Sequence, residues 1–219
     1  MSRVRVHNFS ISLDGFGTGI GQSMDAPFGH AAGRLHEWFF ATRTFRAMHG
    51  EPGGATGVDD ALASQWAPGV GAEIMGRNKF GPQRGPWTGG KGGEEWKGWW
   101  GAEPPFHTPV FVLTHHPRPS IEMDGGTTFH FIDASPVESL QIARKAAGDS
   151  DIRLGGGPTS IRQFLAADLV DHLHIAVVPI ILGRGEPLWE GLEGLERRFD
   201  AVESVSSPSG VAHLIFTRR

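Results

Sequence analysis

Three consecutive glycines, Gly155-Gly156-Gly157, stand between a short strand-like run, Asp151–Leu154, and a helix-like run, Thr159–Leu169. This arrangement restricts the local fold more than any other stretch of the chain. Glycine admits backbone conformations and close approaches that a Cβ forbids. A helix start presents unpaired N–H groups and the positive end of the helix dipole. Strand, glycine turn and helix start together outline a phosphate-binding site. The same residues also read as a tight turn that binds nothing, because a glycine run alone is a weak motif. Pro158 suits an early helical position, where its missing N–H costs little.

The flanking pattern supports a strand–helix repeat. Arg3–Leu13 alternates as a strand, with Val4, Val6, Phe9, Ile11 and Leu13 as its apolar members. Asp14-Gly15 ends it, and Gly15–Gly21 is a glycine loop. Gly33–Arg46 predicts a helix with Leu35, Trp38 and Phe39 on one side. After the loop Gly50–Gly57, a short helix is expected over Val58–Gln65, with Asp59 and Asp60 in its first turn. Strands follow at Ala72–Met75, Val110–Thr114 and Thr128–Ile132, with a long ordered loop, Gly81–Pro105, between the first two. Pro136–Ala147 predicts a helix capped by Ser135. His172–Leu182 predicts a long central strand, and Ala201–Ser206 with Val211–Arg218 a terminal hairpin. The expected fold is one α/β domain over residues 1–219, with a mostly parallel sheet flanked by helices and an antiparallel C-terminal edge.

Composition narrows the chemistry. The 219 residues carry a net charge of −4 and no basic stripe, which argues against a nucleic-acid partner. Cysteine is absent, which removes disulfides, thiol nucleophiles and cysteine-held zinc. Tyrosine is absent too, so no tyrosine acid can serve in catalysis. His115 and His116 lack an evident third ligand, so no metal site is expected. No apolar run reaches membrane-spanning length and no signal-peptide core is visible, so no membrane association and a cytoplasmic location are expected.

Several motifs in order resemble one superfamily. Ile74-Met75-Gly76-Arg77-Asn78, Val110–Thr114 with His115, and Leu154-Gly155-Gly156-Gly157 with Gln163-Phe164-Leu165 resemble dihydrofolate reductase. Ser12-Leu13-Asp14-Gly15 and the stretch from Val178-Pro179 to Gly183-Arg184-Gly185 are more similar to the reductase domain of riboflavin biosynthesis and its stand-alone relatives. That domain is the C-terminal part of a bifunctional deaminase-reductase. The resemblance spans nearly the whole chain. It implies the dihydrofolate reductase-like fold, NADPH bound across the carboxyl ends of the sheet, and a homodimer. The apolar run Ile175–Leu182 and the terminal hairpin are the segments that could pair across a two-fold axis.

Carried over residue by residue, the resemblance assigns cofactor contacts to Gly76, Arg77, Asn78, Thr114, His115, Arg118, Gly155, Gly156, Gly157 and Thr159. Arg77 can grip a phosphate bidentately, or it is a surface arginine after a turn. Thr114, His115 and Arg118 suit the adenosine 2′-phosphate, or they are solvated. Asp14 and Glu37 are the candidate catalytic carboxylates, and Asp14, His36, Trp38 and Pro179 the candidate substrate contacts. Asp14 equally reads as turn chemistry. Glu37 abuts Trp38 instead of preceding it at the superfamily's acidic position, which points away from dihydrofolate reduction itself. Trp87, Trp96, Trp99 and Trp100 anchor a loop or stack a flat ring.

The function expected is hydride transfer from NADPH to a flat polar heterocycle of pterin, flavin or pyrimidine type, the phosphoribosylaminopyrimidine of the riboflavin pathway among them. The alternative is a non-catalytic protein of the same fold that binds a dinucleotide or another ligand.

Overall fold

The structure, a computed structural model, describes residues 2–87 and 95–219. Residues 88–94, within the expected Gly81–Pro105 loop, lie outside the described residues. The strands are β1 (Val4–Ser12), β2 (Phe16–Thr18), β3 (Val70–Gly76), β4 (Pro109–Leu113), β5 (Ile121–Glu122), β6 (Thr128–Ile132), β7 (Asp151–Leu154), β8 (His172–Val178), β9 (Glu186–Pro187), β10 (Phe199–Ser206) and β11 (Ala212–Arg218). The α-helices are α1 (Glu37–Phe40), α2 (Arg43–Met48), α3 (Val58–Ala63), α4 (Arg77–Phe80), α5 (Pro136–Ala147) and α6 (Pro158–Ala166).

Nine strands form one sheet in the order β10-β11-β8-β1-β7-β3-β4-β6-β5. The six from β8 to β6 run parallel, and β11, β10 and β5 are antiparallel to their neighbours. This is the mostly parallel α/β sheet with an antiparallel C-terminal edge that the periodicity predicts. The short ribbon of β2 with β9 and the edge strand β5 were not expected from the sequence. They are held by two or three residues each, too few to show a period.

One face of the sheet packs on α5 and α6. Val4, Val6, Ile74, Ile152 and Leu154 meet Leu140, Ile161, Phe164 and Leu165 there, all nearly inaccessible to solvent. Burying one such side chain contributes about 1.5–3 kcal/mol. On the opposite side Leu35, Trp38 and Ala63 pack against Ala176 and Val178. Helix α5 starts with a capping box: the Ser135 hydroxyl accepts from the Glu138 N–H, and the Glu138 carboxylate accepts from the Ser135 N–H.

The expected helix Gly33–Arg46 is interrupted. Residues 33–36 form a turn, α1 covers one turn, and Thr42 adopts an extended conformation (φ −72°, ψ 154°) to cap α2. The Thr42 hydroxyl accepts from the Phe45 N–H. The 50–57 loop then docks beside the break, where Arg43 N–H donates to the Ala55 carbonyl (2.9 Å) and Ala55 N–H to that of Ala41 (2.8 Å). A threonine that offers its own hydroxyl to the backbone competes with helix continuation.

The expected strand His172–Leu182 stops at Val178, before Pro179, which has no N–H for a ladder. The strand lies between β1 and β11, so both of its edges are occupied. The run Ile175–Leu182 therefore cannot add a strand to a second chain. The open edge of the hairpin is β10.

Candidate active site

A cavity of about 1020 Å³ opens at the carboxyl ends of the central strands. Phe9 and Ser10 from β1, Gly76 from β3, Leu113 from β4 and Leu154 from β7 reach its wall. Strand β7 is inserted between β1 and β3 although it follows both in sequence. This is a topological switch point, the place where open α/β sheets leave a ligand crevice.

Two glycine turns meet at one end. Gly76 N–H donates to the Gly156 carbonyl (2.9 Å) and Gly155 N–H to the Ile74 carbonyl (2.8 Å). Gly156 holds φ +100° and the Gly156–Gly157 peptide is cis. No side chain caps α6 at Gly157, and a Cβ there would meet nothing within 4 Å. The first-turn N–H groups of a nine-residue helix thus face the cavity. By contrast, α5, which also borders the cavity through Ser135 and Pro136, is closed by its own capping box.

Cations gather beside that end. Arg77 donates from Nη1 to the Thr114 hydroxyl (3.4 Å), and its plane lies 3.8 Å from the Trp87 ring centroid. Its Nε and Nη2 are buried without a hydrogen-bond partner. Arg84 donates to the Asn78 Oδ1 (3.0 Å), and His115 Nδ1 pairs with Asp133 Oδ1 (2.9 Å). The Thr159 hydroxyl donates to the Glu186 carboxylate (3.2 Å), an acid the sequence reading did not pick out.

The other end is aromatic. Phe28, Phe39, Phe40, Phe45, Trp66 and Phe106 line it. His36 lies between Phe28 and Phe40, with ring centroids 4.7 and 6.0 Å away. Burial, with a smaller effect from Lys79, lowers the His36 pKa to about 4. Trp38 lines the wall and donates from Nε1 to the Ser10 hydroxyl (3.0 Å).

Between the two ends lies a charged floor. Glu73 on β3 and Arg153 on β7 are register partners. The Glu73 carboxylate takes Lys79 Nζ on Oε1 at 2.9 Å and Arg153 Nη1 on Oε2 at 3.1 Å. Burial pushes the Lys79 amine down to about 8, with Glu73 acting against that shift and Arg153 adding to it. A Cβ on Gly155 would lie 2.6 Å from Lys79 Nζ, so the glycine makes room for the pair. These three charges were missed. Their signal was a charge inside an apolar strand, in Ala72-Glu73-Ile74-Met75 and in Ile152-Arg153-Leu154.

A bulge in β1 brings His7 and Asn8 to the cavity. The register against β8 shifts between Val6 and Phe9, and Asn8 takes φ +44°. Behind it is a histidine chain. His7 contacts the Leu62 carbonyl (2.9 Å), His174 Nε2 meets His213 Nδ1 (3.0 Å), and His213 Nε2 meets Asp59 (2.8 Å). Burial drops the His7 pKa to about 4. It drops that of His174 to about 2, with the neighbouring His7 and His213 adding to the shift.

Of the residues singled out from sequence, Gly76, Arg77, Asn78, Thr114, His115, Gly155, Gly157, Thr159, His36 and Trp38 line this one cavity. Gly156 stands behind the wall as a backbone acceptor. Arg118 does not line it; its guanidinium lies 4.2 Å from the Trp87 centroid and 4.3 Å from that of Phe131, and it donates to the Trp96 carbonyl. Asp14 and Pro179 also lie off the wall. The Asp14 carboxylate accepts from the N–H groups of Leu182 (3.1 Å) and Gly183 (2.6 Å). Burial opposes its charge, but hydrogen bonds from Ser12, Leu182 and Gly183 outweigh it and hold the pKa below its ordinary value. Glu37 is exposed at the start of α1 and does not line the cavity. Trp87 and Trp96 anchor their loop, donating to the carbonyls of His116 (2.6 Å) and Phe80 (2.9 Å), while Trp99 and Trp100 reach the cavity. Among the described residues no cluster of three potential ligands could hold a metal ion, and no helix is long and apolar enough to cross a membrane.

The RibD C-terminal domain family matches residues 5–213. The chain belongs to that family. No curated protein matches it. Among solved structures, one from Shewanella sp. PV-4 named for riboflavin biosynthesis is 21% identical, with a TM-score of 0.60, over 100% of this chain and 99% of that one. A pyrimidine reductase-like protein from Corynebacterium diphtheriae is 15% identical with a TM-score of 0.53, over 100% and 92% of the two chains. The diaminohydroxyphosphoribosylaminopyrimidine deaminase/5-amino-6-(5-phosphoribosylamino)uracil reductase of Thermotoga maritima is 14% identical with a TM-score of 0.52. All of this chain aligns to 57% of that one. These likenesses establish a shared fold.

Proposed function

We propose that this protein is an NADPH-dependent reductase that reduces a flat polar heterocycle. The observation that carries the reading is the uncapped start of α6, with the Gly155–Gly157 turn, opening into a cavity that also holds the unpartnered Arg77 guanidinium. These residues fit a dinucleotide: the helix start suits a diphosphate, and Arg77, Thr114 and His115 suit a further phosphate. When bound, NADPH supplies the hydride.

The chain's own residues position and isolate the reactants. Gly76 and Gly155 allow close backbone approach at the ends of β3 and β7. The aromatic end of the cavity excludes water and offers ring faces to a flat substrate. Membership of the RibD C-terminal domain family and the names of its structural neighbours support the reductase class. The substrate ranges over pterin, flavin and pyrimidine types, including the phosphoribosylaminopyrimidine named for the Thermotoga protein.

One observation favours a second reading, a non-catalytic ligand-binding protein. Glu37 points to solvent, and the Asp14 carboxylate is engaged by backbone N–H groups. Neither supplies a proton to the cavity. Parallel calorimetric titrations with NADPH and NADH, followed by NADPH oxidation with candidate heterocycles, separate the two readings. Binding without turnover on any of the three substrate types favours the second; no binding of either nucleotide removes both dinucleotide readings.

A cytoplasmic homodimer belongs to the same proposal. The exposed Leu13 and Ile181 support it as an apolar patch, with Leu13 N–H bound to the Ile180 carbonyl (2.9 Å). A monomer by light scattering refutes it.

A further inference from the structure

The floor of the cavity carries more positive than negative charge. Lys79 and Arg153 share the single carboxylate of Glu73, and both cations line the cavity while Glu73 stands behind them. The other carboxylates that line it among the described residues, Asp133 and Glu186, are bound to His115 and Thr159. Arg153 is only 9% exposed, and its Nε has no hydrogen-bond partner. A buried guanidinium with an unused donor and half a counter-ion is unfavourable unless a further acceptor reaches it.

The surroundings describe that acceptor. The Arg153 guanidinium lies 4.6 Å from the Trp66 ring centroid, and Lys79 Nζ lies 5.6 Å from that of Phe106. Trp66 and Phe106 themselves meet edge to face at 6.4 Å. The cations are thus rimmed by rings, which suit a flat aromatic body and offer a sugar few polar partners. Gly155 keeps the approach to Lys79 clear.

We propose that Lys79 and Arg153 form an oxyanion subsite that selects a flat aromatic substrate bearing one carboxylate. The carboxylate accepts from Lys79 Nζ and from the free Arg153 donor, and the ring system lies against Trp66 and Phe106. Calling this ligand the substrate rests on the reductase reading; the subsite itself does not.

The test is calorimetric titration of the whole protein with naphthalene-2-carboxylate and with naphthalene-2-carboxamide, which share a ring system and differ in charge. The carboxylate should bind at least about tenfold more tightly, the worth of a charge-assisted hydrogen bond. Lys79→Gln and Arg153→Gln should each remove about tenfold of the carboxylate's affinity and leave the carboxamide's unchanged. The carboxamide also reports whether each variant folds, and the wild-type comparison needs no variant. Equal affinities for the two probes, or full carboxylate affinity in Lys79→Gln, overturn the subsite. A parallel NADPH titration keeps the two readings apart. NADPH binding without preference for the carboxylate refutes the subsite alone, and carboxylate preference without NADPH binding refutes the reductase reading alone.

Discussion

Acid should unfold this protein in a pH window set by histidines. His7 and His174 are 5% and 0% exposed, and burial holds their pKa values at about 4 and about 2. An unfolded histidine titrates near 6.5. Because the folded values are depressed, the neutral rings favour the fold fully above about pH 6.5. That advantage is lost as pH falls from there toward the folded values. At pH 5 the unfolded chain binds one more proton at each ring, about 1.5 units below the unfolded pKa. At about 1.4 kcal/mol per unit, each ring then costs about 2 kcal/mol. The half-buried His36, also near 4, adds a smaller share. The sum, about 4–5 kcal/mol, rivals the whole stability of many domains. The depressed carboxylates Asp14, Asp60 and Glu138 lose their contribution only below about pH 4, so the two windows are distinct. Urea titrations followed by tryptophan fluorescence at pH 8, 6.5 and 5 measure the effect. His7→Gln should reduce the slope by about one proton, or about 1.4 kcal/mol per pH unit. A stability that stays level from pH 8 to pH 5 refutes the reasoning.

Three further outcomes follow from particular contacts. Gly155→Ala forces a methyl group to 2.6 Å from Lys79 Nζ and against the Glu73 carboxylate; a loss of about 1–3 kcal/mol is expected in thermal melts. Arg77→Met should weaken NADPH binding by about tenfold to a hundredfold in calorimetry while leaving the melting temperature nearly unchanged, since Nε and Nη2 have no protein partner to lose. Thr42→Ala removes the cap of α2 and should cost about 1 kcal/mol in urea unfolding, with nucleotide binding retained.

Long periodic elements were legible in the sequence because a single physical cause dominates each. Helix α5 matches its expected bounds, Pro136–Ala147, since Ser135 caps it and Leu140 and Ala143 supply the buried stripe. Strands β6 and β7 match for the same reason, as short apolar runs between turn residues. The expectation failed where a tertiary contact overrode local preference. Nothing in Gly33–Arg46 announces that the 50–57 loop will bind the backbone at Ala41 and Arg43. The strand expected to Leu182 yields to Pro179 and to the Asp14 carboxylate, which is 168 residues away from its Leu182 partner. At the site, the glycine turns and the Arg77 segment were visible because backbone chemistry needs glycine and a basic neighbour. Glu73, Lys79 and Arg153 were not visible, because a charge in a strand usually marks an outward face.

That last failure bears on the site itself. A buried Glu73–Arg153 register pair is weak evidence for stability, since apolar residues of similar volume often do as well. Its placement one residue before the end of β7, with Lys79 closing it from α4, puts the charge where the switch in strand order leaves the sheet open. Two helix starts border the same opening. The one at α5 is satisfied by Ser135 and Glu138, so it has no N–H to offer a ligand there. The one at α6 has no side-chain cap. An anion entering the cavity therefore meets free donors at two places only among the described elements: the Gly157 turn with Arg77, and the Lys79–Arg153 floor. A dinucleotide satisfies the first and leaves the second for another molecule, so the cavity is arranged for two ligands side by side. Naphthalene-2-carboxylate and NADPH should then bind together without competing, and competition between them in a titration would place both on a single anion site.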